Sequence, residues 1–190
     1  LNGYGKEPAL RREPKEIMPD LAAWFKLDDS YTDAKTKYSA IPHGKPRFAK
    51  TGIGPERIPI DEKYPGLRTI GERALCFDGN SYLSLVNFPE IQNLAGNFTI
   101  SLRCYCGRFN LGTTRTLLGS DTEEGLFIGI SPVGDVSEQL QLHLRIGDTV
   151  IEQPQWRFFN TWQTISLVVR HGRGQIYLNY SPFGTEFPFP

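Results

Sequence analysis

The 190-residue chain carries 21 Lys plus Arg and 21 Asp plus Glu, so its formal net charge is zero. This balance, with no long basic run, lacks the electrostatic footprint of a protein that binds nucleic acid or anionic membranes. No apolar run approaches the roughly 20 residues needed to cross a bilayer, so no membrane insertion is expected. The length fits one domain, and 12% aromatic residues with 19 Gly and 14 Pro favour short strands joined by turns.

The first 20 residues predict an extended arm, because charged side chains alternate there with Pro8, Pro14 and Pro19 and leave little to bury. Residues 21–190 are then expected to form a single β-sandwich domain. Its first predicted strand runs from Leu21 to Leu27 and ends at Asp28-Asp29-Ser30.

A Pro- and Gly-rich stretch, residues 31–73, predicts a long irregular loop of the kind that often carries function. After it, two short alternating runs flank Asp78-Gly79 between Leu75 and Leu85. Asp-Gly supplies the positive φ angles that a tight hairpin needs. We therefore expect these two runs to pair with each other as a central hairpin.

The strongest strand signal is the strict alternation from Phe98 to Cys106, which places Phe98, Ile100, Leu102, Cys104 and Cys106 inward. Gly147-Asp148 is a two-residue hairpin signal, and the run from His171 to Gly174 predicts another hairpin. Further strands are predicted at 115–119, 126–130, 139–146, 149–151, 162–169 and 175–180.

The tail, residues 182–190, cannot be an ordinary central strand, because its Pro residues donate no hydrogen bond to a ladder. About ten strands are best accommodated as two packed antiparallel sheets, since one open sheet of that size would expose a large apolar face. The prediction is an all-β, two-sheet antiparallel jelly-roll sandwich.

An ordered set of segments carries a family resemblance: 21–29, Ala74 to Gly79, Asn97 to Leu102, Thr116 to Gly119, Asn160 to Leu167 and Gln175 to Asn179. In order and spacing, this set resembles the laminin-G-like family within the concanavalin A-like lectin/glucanase superfamily. The resemblance implies a two-sheet jelly roll that binds sugars or proteins, sometimes with a calcium ion at its rim.

Two features depart from that family. The loop of residues 31–73 is longer and richer in Pro than the family's usual connection. The family also adds closing strands after the one that matches Gln175–Asn179, whereas this sequence stops at Pro190. Either the domain lacks its last strands, or the tail, the arm or a partner covers the open edge.

Catalysis is disfavoured by the sequence. The glucanases of the superfamily place carboxylates on one strand as Glu-x-Asp-x-Glu, and this chain has no such run. Its closest acidic cluster, Asp121, Glu123 and Glu124, lies on a predicted solvated turn. His143 is predicted at the surface, and the sequence pairs no Ser or Cys nucleophile with it. We therefore expect no enzyme, and specifically no glycoside hydrolase.

Calcium is the more plausible chemistry, because hard cations need several oxygens converging from loops. The predicted ligands lie in turns after the first strand and in the Asp-Gly turn: Asp28, Asp29, Asp78 and Asn80, with Asp33 nearby. Asp78 has a competing role, since an Asp-Gly turn forms without any metal.

Sugar recognition commonly uses an exposed aromatic ring with amides or charged groups beside it. The candidate residues fall into three places: Trp156 with Gln153 and Gln155, Tyr105 with Arg103, and Tyr64 in the long loop. Each aromatic ring could equally lie at a strand edge or an interface.

The three cysteines, Cys76, Cys104 and Cys106, are predicted to be buried thiols, with a bridge from Cys76 to one of the others as the alternative. Two hypotheses follow. The first is a non-catalytic module that binds glycan or protein through its rim loops, located outside the cell or on a cell or virion surface. The second is a structural or decorating domain of a larger assembly, such as a virion or tail component, in which the chain is part of an oligomer.

Overall fold

The computed structural model describes residues 21–35, 37–50, 73–86, 88–89, 96–105, 114–120, 125–133, 136–157 and 162–189. The elements of this part of the chain are all strands: β1 (Ile41–His43), β2 (Arg47–Lys50), β3 (Arg73–Cys76), β4 (Tyr82–Ser84), β5 (Phe98–Tyr105), β6 (Arg115–Gly119), β7 (Leu126–Val133), β8 (Val136–Ile146), β9 (Thr149–Arg157), β10 (Trp162–Arg170), β11 (Arg173–Leu178) and β12 (Ser181–Pro188).

Two four-stranded antiparallel sheets pack face to face as a sandwich, which confirms the predicted fold class. The first sheet has the strand order β6-β7-β8-β9, and the second sheet has the order β12-β11-β10-β5. The edge strands β9 and β12 contact each other, so the two sheets meet along that side.

The core lies between these sheets and follows from the alternation of their central strands. Leu140, Leu142 and Leu144 on β8 face inward and are at most 1% exposed. On β10, Leu167 and Val169 are buried to the same extent. Because every second residue of both strands is apolar, each strand buries one face and leaves the other to carry polar or functional side chains.

Tight turns connect one pair of neighbouring strands in each sheet. Gly147-Asp148 joins β8 to β9, with Ile146 paired to Thr149 across it, as predicted. His171 and Gly172 join β10 to β11 with φ angles of 51° and 70°, which is the geometry of a two-residue hairpin turn. The predicted hairpins at both places are confirmed.

The C-terminal tail forms β12, the edge strand of the second sheet, and it pairs with β11. Pro182 and Pro188 lie in this strand, where an edge position tolerates residues that lack an N–H group. Phe187 on the same strand is only 7% exposed and belongs to the core. The expectation that the tail is no central strand is confirmed.

The predicted hairpin around Asp78-Gly79 is wrong. The flanking strands do not pair with each other: β3 pairs with β2, and β4 pairs with β1. The four strands therefore follow one another as two short antiparallel pairs, with residues 44–46 and 77–81 between them. Gly44 (φ 74°) allows a close approach there, since a Cβ at this position would lie 2.7 Å from the carbonyl oxygen of Asn80.

Two other expectations for the N-terminal part also need correction. Residues 21–27 contain no strand. The stretch 31–73 is not wholly irregular, because β1 and β2 lie within it. A small aromatic cluster forms beside this region, in which the ring centroids of Tyr38 and Phe88 are 4.5 Å apart. Phe88 is 6% exposed, so burial of this ring helps to order a segment that has few strands.

Asp33 organises the turn that leads to β1. Its carboxylate is 1% exposed and accepts hydrogen bonds from the backbone N–H groups of Lys35 (2.8 Å), Lys37 (2.8 Å) and Tyr38 (2.9 Å). Burial raises the pKa of Asp33, but these hydrogen bonds outweigh it and hold the pKa below its usual value of 3.8. The ionised carboxylate thus stabilises the turn.

Cys76 and Cys104 are half-buried and lie on strands of different sheets. The predicted arm, residues 1–20, together with Cys106 and the acidic cluster at 121–124, lies outside the described residues. Within the described ranges, no helix is long and apolar enough to span a membrane. The domain boundary at residue 21 stays a prediction.

Candidate functional site

Two predicted binding residues meet on the outer face of the second sheet, the face turned away from the core. Tyr105 on β5 lies directly opposite Trp162 on β10, and their ring centroids are 5.7 Å apart. The guanidinium carbon of Arg103, two residues along β5, lies 5.9 Å from the centre of the Trp162 ring. We call these three half-buried side chains the tryptophan surface.

The alternation of β5 and β10 explains why these side chains converge. Their inward neighbours, Leu102 on β5 and Ile165 on β10, contribute to the apolar side of the same strands and are paired with each other. Side chains of one parity therefore fill the core, and those of the other parity line the outer face. A cross-strand pair places the Cβ atoms about 5 Å apart, which brings Tyr105 and Trp162 into contact.

The tryptophan surface continues along the sheet as a polar strip. Ser101, which is exposed, and Ser166, which is half-buried, pair with each other four residues further along the strands, and their hydroxyl oxygens are 2.9 Å apart. At about 3.3 Å per residue, four residues separate the two ends of the strip by about 13 Å. The strip is therefore longer than one sugar ring, with aromatic groups at one end and hydroxyl groups at the other.

The turn between β11 and β12 fixes the strand beneath the tryptophan surface. Asn179 accepts a hydrogen bond from the N–H of Thr164 through its side-chain oxygen (2.9 Å) and donates its own N–H to the carbonyl of Thr164 (2.8 Å). Thr164 lies opposite Arg103 in the ladder and is only 6% exposed. The backbone next to Trp162 is thereby held by β5 on one side and by the turn between β11 and β12 on the other.

The other predicted binding residues lie elsewhere. Gln153 and Gln155 are on β9 of the first sheet, so they do not join Arg103 and Tyr105. Gln155 is exposed, as expected for a ligand-binding residue, whereas Gln153 is 5% exposed. Tyr64 lies outside the described residues, and for Trp156 the structure describes the backbone alone.

A β-bulge explains why Gln153 and Gln155 face opposite sides of the sheet. His143 pairs with Glu152 and Gln141 pairs with Gln155, so two residues of β9 face the single residue between them on β8. Gln153 is one of those two and faces inward by the alternation from Ile151, which pairs with the buried Leu144, whereas the bulge turns Gln155 outward opposite Gln141. Its side-chain oxygen is buried with no hydrogen-bond donor among the described residues, and it lies against Gly184 of β12.

The four predicted calcium ligands all lie within the described residues. Asp28 accepts a hydrogen bond from the N–H of Asp29 (2.9 Å), and Asp29 forms an ion pair with Arg73 of β3. Asp78 accepts a hydrogen bond from the N–H of Asn80 (2.9 Å), which is an Asx turn. Hydrogen bonds from the Ser81 hydroxyl and the Asn80 amide hold the pKa of Asp78 below its usual value.

Among the residues that the structure describes, no group of three or more His, Cys, Asp or Glu side chains is placed to hold a metal ion. The donor set for calcium at Asp28, Asp29, Asp78 and Asn80 would need backbone or amide oxygens as well. Calcium binding therefore stays a prediction.

Two contacts in the structure were not predicted from the sequence. Trp162 was predicted only as the start of a strand, and its pairing with Tyr105 depends on a register between segments that are far apart in the chain. His143, predicted at the surface without a partner, is half-buried, and its Nε2 lies 2.6 Å from the hydroxyl oxygen of Ser131 on β7. No local motif in the sequence signals either contact.

The fold places this chain among the two-sheet antiparallel β-sandwich proteins. No protein-family model and no curated protein matches it. Among solved structures, the chain is similar to domain 4 of AbnA, a GH43 extracellular arabinanase from Geobacillus stearothermophilus, in complex with arabinotriose. That match covers 88% of this chain and 76% of the other, with a TM-score of 0.55 and 18% identity, so it shows a shared fold. The laminin-G assignment itself stays a prediction.

Proposed function

We propose that this chain is a non-catalytic carbohydrate-binding module and that the tryptophan surface is its ligand-binding site. The observation that carries the proposal is the convergence of the Tyr105 ring and the Arg103 guanidinium group on Trp162, each within 6 Å of the Trp162 ring centre, on the outer face of a sheet. The proposed site lies on strand residues rather than in the rim loops predicted from the sequence.

The chemistry of this surface suits an oligosaccharide. Sugar rings present C–H groups on their faces, which pack on Trp162 and Tyr105, and hydroxyl groups at their edges, which Arg103 can reach as a hydrogen-bond donor. Ser101 and Ser166 extend the polar contacts along the strip. A guanidinium group near aromatic rings orients the ligand, and the rings supply most of the contact area.

The structural comparison supports the proposal. The domain with the shared fold belongs to an extracellular arabinanase and was solved in complex with arabinotriose. A two-sheet sandwich of this kind can therefore carry an oligosaccharide, and an extracellular location for this chain belongs to the same proposal. Arabinotriose is for that reason the first ligand to test.

Isothermal titration calorimetry with arabinotriose and a panel of neutral oligosaccharides tests the site. We expect the Trp162→Ala variant to weaken binding at the tryptophan surface at least about tenfold, which corresponds to about 1.4 kcal/mol of binding free energy at that site. Tyr82→Ala is the matched control, because Tyr82 is an aromatic residue that is 58% exposed but lies on β4, outside both large sheets.

If Trp162→Ala binds the saccharides as the wild type does, the tryptophan surface is not the binding site. If the wild type binds no saccharide of the panel, the proposed function is wrong. Both variants are first checked by thermal unfolding, so that a loss of fold is not read as a loss of binding. A reducing-sugar assay on the same saccharides should show no increase in reducing ends above that of the buffer blank.

A further inference from the structure

The outer face of the first sheet is a second solvent-facing surface with its own set of functional groups. The ladder registers arrange it in three rows across β7, β8 and β9: Phe127 with Arg145 and Val150, Gly129 with His143 and Glu152, and Ser131 with Gln141 and Gln155. We call this the histidine face, after its central residue. It is turned away from the core on the opposite side of the sandwich from the tryptophan surface.

An aromatic ring lies over this face because Gly129 leaves space for it. A Cβ at position 129 would lie 2.6 Å from the ring of Phe127, so only glycine allows the ring to lie across the strand. The guanidinium carbon of Arg145, directly opposite Phe127 in the ladder, is 5.9 Å from the ring centre. A half-buried ring with a cation beside it repeats the chemistry of the tryptophan surface.

Hydrogen-bonding side chains surround this ring. The Ser131 hydroxyl and the His143 imidazole hold each other at 2.6 Å, which fixes the orientation of the imidazole. Gln141 donates its amide to the backbone carbonyl of Gln153, which the bulge of β9 makes accessible. Glu152 and Gln155 are exposed and available to a ligand from solvent.

The charges of this face favour an uncharged ligand. On β7, β8 and β9, its described charged side chains are one cation, Arg145, and one carboxylate, Glu152, which balance each other. A face with amide, imidazole, hydroxyl and carboxylate groups around one ring matches the hydroxyl groups and C–H surfaces of a neutral saccharide. A charged polymer would find no matching excess of charge here.

We infer that the histidine face is a second binding surface for a neutral oligosaccharide, so that one chain binds two saccharide segments on opposite sides of the sandwich. This inference rests on the proposed function, but it concerns a different sheet and different residues. Because the two surfaces point away from each other, a single chain can connect two polysaccharide molecules rather than bind one molecule more tightly.

The test compares binding with cross-linking, using arabinotriose as the small ligand and soluble arabinan as the polymer. Three variants are needed: Trp162→Ala for the tryptophan surface, the double variant Glu152→Ala/Gln155→Ala for the histidine face, and both together. Thr149→Ala is the control, because Thr149 is exposed on the same strand β9 but lies at the turn, outside the three rows.

For the wild type and the control, we expect two arabinotriose molecules per chain and a rise in light scattering when arabinan is added. Each single-surface variant should keep one site and lose the rise in scattering, and the combined variant should lose both. The residues changed on the histidine face are exposed, so thermal unfolding should be unchanged within about 0.5 kcal/mol.

One molecule per chain in the wild type, lost in Trp162→Ala and unaffected by Glu152→Ala/Gln155→Ala, would overturn the second surface and leave the proposed function intact. If the wild type binds no arabinotriose and no arabinan, both the second surface and the proposed function are wrong. A sugar-free dimer that the double variant dissociates would show that the histidine face is a protein interface, which also overturns the inference.

Discussion

The turn built on Asp33 gives the sharpest test of how this fold is held together. The change is Asp33→Asn, which keeps the size of the side chain and removes its charge. Asp33 is 1% exposed, and its two carboxylate oxygens accept three backbone hydrogen bonds of 2.8–2.9 Å. Asparagine offers one acceptor oxygen, and its NH₂ group must face at least one of the three N–H donors.

The expected cost follows from the bonds that are lost. A hydrogen bond to a charged acceptor contributes about 1.5–3 kcal/mol, and a buried donor left without a partner costs a similar amount. With one or two of the three bonds replaced by a repulsive contact, Asp33→Asn should lower the free energy of unfolding by about 2–4 kcal/mol. For a chain of this size, that lowers Tm by about 4–16 °C.

The same variant should change the dependence of stability on pH. The hydrogen bonds hold the native pKa of Asp33 below its usual value of 3.8, so the unfolded chain takes up the proton first as the pH falls. The stabilisation is present above pH 3.8 and is lost as the pH falls through the native pKa. The difference between wild type and Asp33→Asn should therefore be largest near neutral pH and shrink in acid.

Urea denaturation followed by tryptophan fluorescence, at several pH values between neutrality and acid, measures both effects. Asp78→Asn is the control, because Asp78 also accepts a backbone hydrogen bond in a turn but is exposed, and its midpoint should stay near that of the wild type. A loss of less than about 0.5 kcal/mol in Asp33→Asn, or a loss that is the same at every pH, would refute the reasoning.

Further tests concern two glycines, the C-terminal tail and the predicted calcium site. Gly184→Ala should lower the free energy of unfolding by about 2–5 kcal/mol, because φ is +70° and the new Cβ would lie 2.2 Å from the side-chain oxygen of Gln153. Gly79→Ala, with φ of +89° and no atom within 4 Å of the new Cβ, should cost only about 1–2 kcal/mol, and equal losses in urea denaturation would contradict this contrast. Deletion of residues 181–190 should abolish the cooperative unfolding transition, because β12 supplies an edge strand and the buried Phe187. A deletion variant that still unfolds cooperatively would contradict the assignment of the tail to the sandwich. If the predicted calcium site at Asp28, Asp29, Asp78 and Asn80 exists, millimolar calcium should raise Tm and EDTA should reverse the rise, whereas an unchanged Tm would rule it out.

Local sequence signals predict the sandwich well. The alternation from Phe98 onward marks β5, and the turn residues Gly147-Asp148 and His171-Gly172 mark two hairpins, because each signal involves residues that are adjacent in the chain. Pro182 and Pro188 exclude a central strand, and the edge position of β12 satisfies that limit.

Non-local pairing accounts for the main errors. The turn at Asp78-Gly79 does form, with φ of +89° at Gly79, yet the strands beside it pair with β1 and β2, whose paired residues lie 23 to 43 positions earlier. Pro42 lies in β1 opposite Leu83, where a proline-rich segment predicts a loop. Local turn chemistry fixes where the chain bends, but it does not fix which strand lies alongside.

The candidate sites also combine residues that the sequence predicts with residues that only non-local strand pairing brings together. Arg103 and Tyr105 are predictable as outward residues of β5, but Trp162 joins them only through the register of β5 with β10. Gln153 was predicted as a ligand-binding residue because its amide lies near Trp156 in the sequence, but it faces inward, and the bulge in β9 leaves Gln155 alone of the two amides on the outer face. A single extra residue in a strand changes which side chains reach solvent, and a periodic pattern cannot show it.

The most direct test of the account is an NMR titration of the isotope-labelled chain with arabinotriose. The indole signal of Trp162 and the backbone amide signals of Arg103 and Tyr105 should shift in proportion to the ligand bound, with a separate group of shifts at His143 and Gln155 on the other sheet. Saturable shifts confined to other residues, or no shift at any concentration with this ligand and the neutral saccharide panel, would contradict the claim that the outer faces of this sandwich bind carbohydrate.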